Sequence, residues 1–192
     1  MGSLVLPPFL YLGPRSAASS KPFLTENSIT DVLSIGSNPY AKVDGITYHR
    51  LSLNDSASSS ILKVVDAACE VIDGVEIASK KGAGKKILVH CFAGISRSPA
   101  VVTAYLMKRK GMTLKAALGQ IVRVRPQVSP NSGFLQQLKE MEMELYGGSG
   151  SSLEVDELPK RQEDKLALFE ELQEQPPEER SEAVAVETES TA

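Results

Sequence analysis

The hydrophobic positions of this chain change period several times, and the changes place its elements. Phe9 to Leu12, after the Pro7-Pro8 pair, forms a short apolar run of strand type. Pro22 leaves residues 16–24 open between a short helix and a loop. Thr30 to Ile35 predicts a second strand, closed by Gly36-Ser37-Asn38-Pro39, and Ile46 to Leu53 alternates as a third. The spacing then becomes helical: Ile61, Val64, Val65, Ala68, Val71, Ile72 and Val75 form a stripe over residues 61–77. Lys86 to Val89, preceded by Gly82 and Gly84, reads as a buried strand. Pro99 to Met107 reads as a mostly apolar helix, with Pro99 in its first turn, Lys108-Arg109-Lys110 in its last and Gly111 as its stop. Leu114 to Val124, with Thr113 as N-cap, predicts another helix. Asn131 to Tyr146 predicts the last core helix, with Phe134, Leu135, Leu138, Met141 and Leu145 on one face. Strands alternating with helices argue for an α/β fold.

After Tyr146 the pattern fades. Gly147-Gly148-Ser149-Gly150-Ser151-Ser152 has the composition of a flexible linker. A helix over residues 158–173 is suggested by Leu166, Phe169 and Leu172, and Pro176-Pro177 ends it. The remainder is acidic and poor in aromatics, the signature of disorder. The expected division is therefore a folded domain over residues 1–146 and a linker with acidic tail over residues 147–192. Charge follows this division. Residues 147–192 carry four basic and thirteen acidic side chains, net −9, against +6 for residues 1–146 and −3 for the whole chain. A basic body suits an anionic substrate, and an acidic tail folded over a basic rim would compete with it. A merely solubilising tail is the alternative.

The two cysteines, Cys69 and Cys91, exclude a disulfide scaffold and fit a reducing compartment, cytoplasmic or nuclear. No run is apolar enough to span a membrane. Leu6 stands where a myristoylation signal needs Ser or Thr, and no basic segment opens a signal peptide. No His/Cys/Asp cluster has metal-ligand spacing, and no Gly-rich nucleotide signature is present, so no cofactor is expected. Nucleic-acid and membrane partners are not expected either.

The chemistry concentrates at Val89-His90-Cys91-Phe92-Ala93-Gly94-Ile95-Ser96-Arg97-Ser98. A strand, a loop of small residues and a helix follow one another here. The loop's N–H groups and the helix N-terminus can converge on an anion. Gly94 permits close backbone approach. Arg97 can grip two phosphate oxygens with its planar fork. The same positive end would lower the Cys91 pKa, and a thiolate there can attack phosphorus to give a cysteinyl-phosphate that water clears. The leaving oxygen then needs a proton. Asp55 is the candidate acid, because it follows the third strand as Cys91 follows a strand, and loops at strand C-termini share one rim. A simple Asn54-Asp55 turn is the competing reading. Asp44 reads as a turn residue beside Gly45, and Asp66 and Asp73 fall within a helix.

His90-Cys91-x5-Arg97-Ser98 resembles the signature of the protein tyrosine phosphatase superfamily. The string Ala93 to Ser98, followed by Ala104-Tyr105-Leu106-Met107, resembles the dual-specificity phosphatases in particular. Leu10-Tyr11-Leu12-Gly13, Ile29 to Leu33, Arg125-Pro126 and Ser129-Pro130-Asn131-Ser132-Gly133-Phe134 extend the likeness over about residues 4 to 146. The resemblance implies a single twisted, mostly parallel sheet flanked by helices, here with a flexible acidic C-terminal tail. It implies hydrolysis of phosphotyrosine and phosphoserine or phosphothreonine in phosphorylated proteins, through a shallow pocket. Phosphate would be held by Phe92, Ala93, Gly94, Ile95, Ser96 and Arg97. Ser98 would stabilise the Cys91 sulfur as leaving group. His90 would orient the loop, or be only a satisfied core histidine. Asn131 would brace the loop, or only cap the last helix. The chain has no room for the N-terminal docking domain of the MAP-kinase phosphatases, so it resembles the atypical members.

Four further readings stay open at this level. A phosphoinositide or nucleic-acid phosphatase is disfavoured by the lack of lysines in the loop. A phospho-binding adaptor is disfavoured by the presence of Cys91, Arg97 and Asp55 together. Cys69 would serve as a partner for oxidised Cys91 only if the fold brings the two together. Lys80-Lys81 and Lys85-Lys86 are either attractors of acidic substrate or a solvated basic loop.

Overall fold

In a computed structural model the described residues are 1–148 and 150–170. Five strands form one sheet: β1 Ser3–Leu6, β2 Leu10–Pro14, β3 Asp31–Ile35, β4 Thr47–Leu51 and β5 Ile87–Cys91. Their order is β1-β2-β5-β3-β4, and only the β1–β2 pair is antiparallel. The expected mostly parallel sheet is present. β1 is an addition that the pattern did not announce. It is four residues long, at the sheet edge, and cut off by Pro7, so no period could develop in it.

Side chains along the strands alternate between the two faces, as a period of two requires. Leu10, Leu12, Leu33, Ile35, Ile87, Val89 and Cys91 face the main core. Tyr11, Val32 and Leu88 face a smaller one. The smaller core is covered by α1 Arg15–Ala18 and α2 Lys21–Glu26, so the ambiguous segment forms two short helices, the second capped by Ser20. The main core is covered by α3 Leu62–Ala78, α4 Arg97–Lys110, α5 Leu114–Val124 and α6 Ser132–Tyr146.

α4 is the central helix, buried without interruption from Ser98 to Met107. That is why its sequence is apolar all round rather than striped. Its basic last turn bridges to α3 through Lys108–Asp66, Arg109–Asp73 and Lys110–Glu76. Gly111 ends it at φ 66. Thr113 caps α5 by accepting from Ala116 N at 3.3 Å, as expected.

The chain stays on the body beyond Tyr146. Glu142 of α6 is buried, and its carboxylate accepts from Leu114 N (2.6 Å), Ser151 Oγ (2.6 Å), Ser152 N (2.8 Å) and Ser152 Oγ (2.7 Å). Leu153, Leu158 and Phe169 then enter the main core. Phe169 belongs to α7 Gln162–Glu170 and lies on Gly119 of α5. Residues 151–170, read as linker and tail, therefore contribute to the folded body. Composition suggested otherwise because the anchoring apolar residues are sparse and the buried side of α7 includes Lys165, which a polarity pattern places in solvent. Leu172 and the acidic residues 171–192 lie outside the described residues.

Candidate active site

Four parallel strands deliver their following residues to one rim. Arg15 follows β2, Gly36 follows β3, Asp55 lies beyond β4, and Cys91 ends β5. The loop from Phe92 to Ser96 leads from Cys91 directly into α4, so the helix N-terminus points into the loop.

The Cys91 side chain is almost wholly buried, and its Sγ accepts from Gly94 N at 3.3 Å. Burial pushes its pKa up. The Ser98 hydroxyl and the N–H groups of Ser98, Gly94 and Ile95 pull it down further, leaving it below the ordinary thiol value. Ser98 Oγ is fully buried and makes no hydrogen bond within ordinary geometry, so the sulfur is the group its proton can serve. Gly94 sits at φ 67, and a methyl there would lie 2.6 Å from the Gly13 carbonyl. Only glycine permits that turn and that approach.

Arg97 donates from Nη1 to Gly36 O at 2.9 Å. Its buried Nε makes no hydrogen bond but is ion-paired with Asp55 Oδ2 at 3.5 Å. Gly36, also at positive φ, packs against Leu53 O and Arg97, so a side chain there would displace the guanidinium.

Asp55 is at the loop. Its Oδ1 accepts from Ser96 Oγ at 2.6 Å and from Asn131 Nδ2 at 2.9 Å. Asn131 also caps α6, its Oδ1 accepting from Phe134 N at 2.9 Å, and its own N–H donates to Ser96 Oγ at 3.2 Å. The two alternatives for Asn131 coexist. Gly133 lets α6 approach the backbone of Ala57 and so holds the Asp55 loop close.

His90 is fully buried. Nδ1 faces the Cys91 carbonyl at 3.1 Å and Nε2 faces Ser34 Oγ at 2.8 Å. A carbonyl can only accept, so Nδ1 carries the proton and Nε2 accepts from Ser34. Burial lowers the His90 pKa, which keeps the ring neutral. The ring thus fixes the Cys91 backbone and is also a satisfied core histidine.

Three supporting residues were not singled out from the sequence. Ser34 completes the His90 pair, Gly36 receives Arg97, and Arg125 braces the loop from behind. Buried Arg125 donates Nε to Gly94 O (2.8 Å), Nη2 to Ala93 O (3.1 Å) and Nη1 to Met1 O (2.9 Å). Ser129 N donates to Ile95 O at 2.8 Å. The loop carrying both is itself held by α7, whose Lys165 Nζ donates to Pro126 O (3.1 Å) and Val128 O (2.8 Å).

Two other candidates lie elsewhere. Cys69 lies on α3 one turn before Asp73, the ion-pair partner of Arg109, and has its pKa pushed up to about 11, mainly by burial. Cys91 adjoins Ser98, at the opposite end of α4. Eleven residues of helix separate the neighbours, about 16 Å, beyond disulfide reach. Lys80 and Lys85 pair with Glu76 and Asp31 near the N-terminal end of β5, away from Cys91. Among the described residues no group of His, Cys, Asp and Glu could hold a metal ion, and no helix is long and apolar enough to cross a membrane.

Residues 10–144 match the family model described as the dual specificity phosphatase catalytic domain. The chain belongs to the dual specificity phosphatase family. It is 38% identical to dual specificity protein phosphatase 1 of Arabidopsis thaliana over 71% of this chain and 67% of that one. It is 39% identical to human dual specificity protein phosphatase 5 over 75% of this chain but only 36% of that protein's length. Among solved structures, human DUSP28 superimposes with a TM-score of 0.66 at 31% identity, covering 75% of this chain and 94% of that one. The structure titled DUSP15 gives 0.65 at 34% identity over 79% and 98%.

Proposed function

We propose that the chain is a phosphoric monoester hydrolase acting on phosphotyrosine and on phosphoserine or phosphothreonine in proteins. The observation that carries this is the conjunction at one cup of a thiol lowered in pKa, an arginine and the carboxyl group of Asp55 ion-paired with it. The Cys91 thiolate attacks phosphorus while Asp55 gives its proton to the leaving oxygen, forming a cysteinyl-phosphate and the free hydroxyl product. Asp55, now a carboxylate, takes a proton from water as the water attacks phosphorus, and the thiolate leaves with Ser98 donating to it. The N–H groups of Phe92 to Arg97 and the Arg97 fork hold the phosphoryl oxygens through both steps. Ser96 and Asn131 position Asp55 for its role. Protein phosphate esters are favoured over phosphoinositides or nucleic acids because Phe92, Ala93, Ile95 and Ser96 add no charge to the loop.

Asp55→Asn tests the assignment of the acid. With a phosphopeptide the rate should fall by roughly 10²–10⁴-fold, and by less with an aryl ester whose leaving group needs no proton. An equal loss across leaving groups would make Asp55 a structural residue of the loop.

A further inference from the structure

Lys165 does not touch the Cys91 cup, yet a chain of directed bonds links it to the phosphate loop. It belongs to α7, beyond residues 10–144, the part that carries the family likeness. Lys165 is 3% exposed, and its Nζ donates to Pro126 O at 3.1 Å and to Val128 O at 2.8 Å. Among the described residues no carboxylate pairs with it. An ammonium buried against carbonyls alone is costly, and an apolar side chain would fasten α7 to the body without that penalty. What the lysine adds is direction: two bonds that fix the carbonyls on either side of Gln127.

That turn, residues 125–129, holds three successive carbonyls of the phosphate loop. Arg125 donates to Ala93 O and Gly94 O, Ser129 N donates to Ile95 O, and Val128 N closes the turn on Arg125 O at 3.1 Å. A trans peptide is planar, with its C=O and its N–H on opposite sides, and these peptides are trans. Drawing the carbonyls of Ala93, Gly94 and Ile95 outward therefore turns the N–H groups of Gly94, Ile95 and Ser96 inward. Gly94 N lies 3.3 Å from Cys91 Sγ. Burial raises the Cys91 pKa, and Ser98 and then the N–H groups of Gly94 and Ile95 lower it. The tilt of these planes thus bears on the thiolate and on the cradle for phosphate alike.

We propose that Lys165 is a positioning residue for the phosphatase reaction: by fixing the 125–129 turn it sets the tilt of the peptide planes whose N–H groups hold the Cys91 sulfur and the substrate's phosphoryl oxygens. This inference rests on the phosphatase reading. A role in stability alone would leave that tilt untouched, and Lys139 supplies the comparison. It too is buried, and its Nζ fastens the same C-terminal extension through Glu154 O at 3.3 Å and Asp156 Oδ1 at 2.9 Å. Among the described residues it makes no bond to the 125–129 turn.

The test compares wild type, Lys165→Met and Lys139→Met as full-length chains, well below their urea midpoints. An aryl phosphate is the substrate and inorganic phosphate the competitive inhibitor. Lys165→Met should lose about 10–100-fold in kcat/KM, the effect of a small misplacement at the reacting centre. The acidic limb of its pH–rate profile should move to higher pH. Inorganic phosphate should bind about tenfold more weakly, the weight of one hydrogen bond to a charged group. Lys139→Met, whatever its effect on the urea midpoint, should keep the wild-type limb and inhibition constant. Should Lys165→Met not fold, Lys165→Gln, which is shorter but polar at its end, carries the same expectations. A wild-type limb and inhibition constant in the folded Lys165 variant, or the same shifts in Lys139→Met, would overturn the positioning role. Turnover of the aryl phosphate by wild type separates the two claims. Its absence would overturn the phosphatase reading and the positioning role together.

Discussion

Phe169→Ala measures whether α7 belongs to the folded body. The ring is fully buried on Gly119, whose position would place a methyl only 3.1 Å from it, so ring and α5 backbone are in direct contact. Truncating a buried phenylalanine costs about 3–5 kcal/mol. With a urea dependence of about 2 kcal/mol per molar for a domain of this size, the midpoint should fall by about 1.5–2.5 M. The change reaches the active site as well. α7 holds Pro126 O and Val128 O through Lys165, and Arg123 Nη2 donates to Phe169 O at 3.0 Å. The same loop supplies Arg125 and Ser129 to the phosphate loop. Aryl-phosphate turnover should therefore fall several-fold below the denaturation midpoint, where circular dichroism still reports a folded core. Urea titrations followed by far-UV circular dichroism and by activity check both halves. A midpoint within experimental scatter of wild type, with unchanged turnover, would refute the claim that residues 151–170 support the catalytic domain.

Other consequences follow from single contacts. Ser98→Ala removes the largest influence that lowers the Cys91 pKa, so the acidic limb of the pH–rate profile should move to higher pH; a profile superimposable on wild type would contradict that role. Arg125→Met breaks the donations to Gly94 O and Ala93 O, and kcat/KM for an aryl phosphate should drop by at least tenfold, a loss of about 1.4 kcal/mol in transition-state binding. Glu142 is opposed by burial, but its hydrogen bonds with Ser151 and Ser152 leave its pKa below the ordinary glutamate value. The stability it supplies is thus present above the unfolded pKa and lost as pH falls through the folded one. Acid titration of Glu142→Gln against wild type should show a shallower decline in stability on the acid side.

Most of the sheet and the cup were legible because their signals are local. The apolar run in Thr30–Ile35 follows from burial of β3 on both faces, and the spacing in Ile61–Ile77 from burial of one face of α3. Cys91 and Arg97 are brought together by a short loop, so their spacing already encodes the geometry. Asp55 was found one step less directly, from its place after a strand. The residues that were missed act across the fold. Arg125 reaches Gly94 from 31 positions away, and Arg97 reaches Gly36 from 61. Neither pairing leaves a mark on nearby sequence. β1 was too short for a period; the helix expected over residues 158–173 is present as α7, but its packing on the body was not legible, because its buried side combines Phe169 with a lysine.

The central claim is a covalent phosphate on Cys91, and trapping it is the most direct test. Wild-type protein is mixed with an aryl phosphate in large excess, quenched in acid within one turnover, digested and examined by mass spectrometry. The account predicts one added phosphoryl group on the peptide containing Cys91, and none in Cys91→Ser, which should also show no turnover. Phosphate found on another residue, or near wild-type turnover in Cys91→Ser, would contradict it.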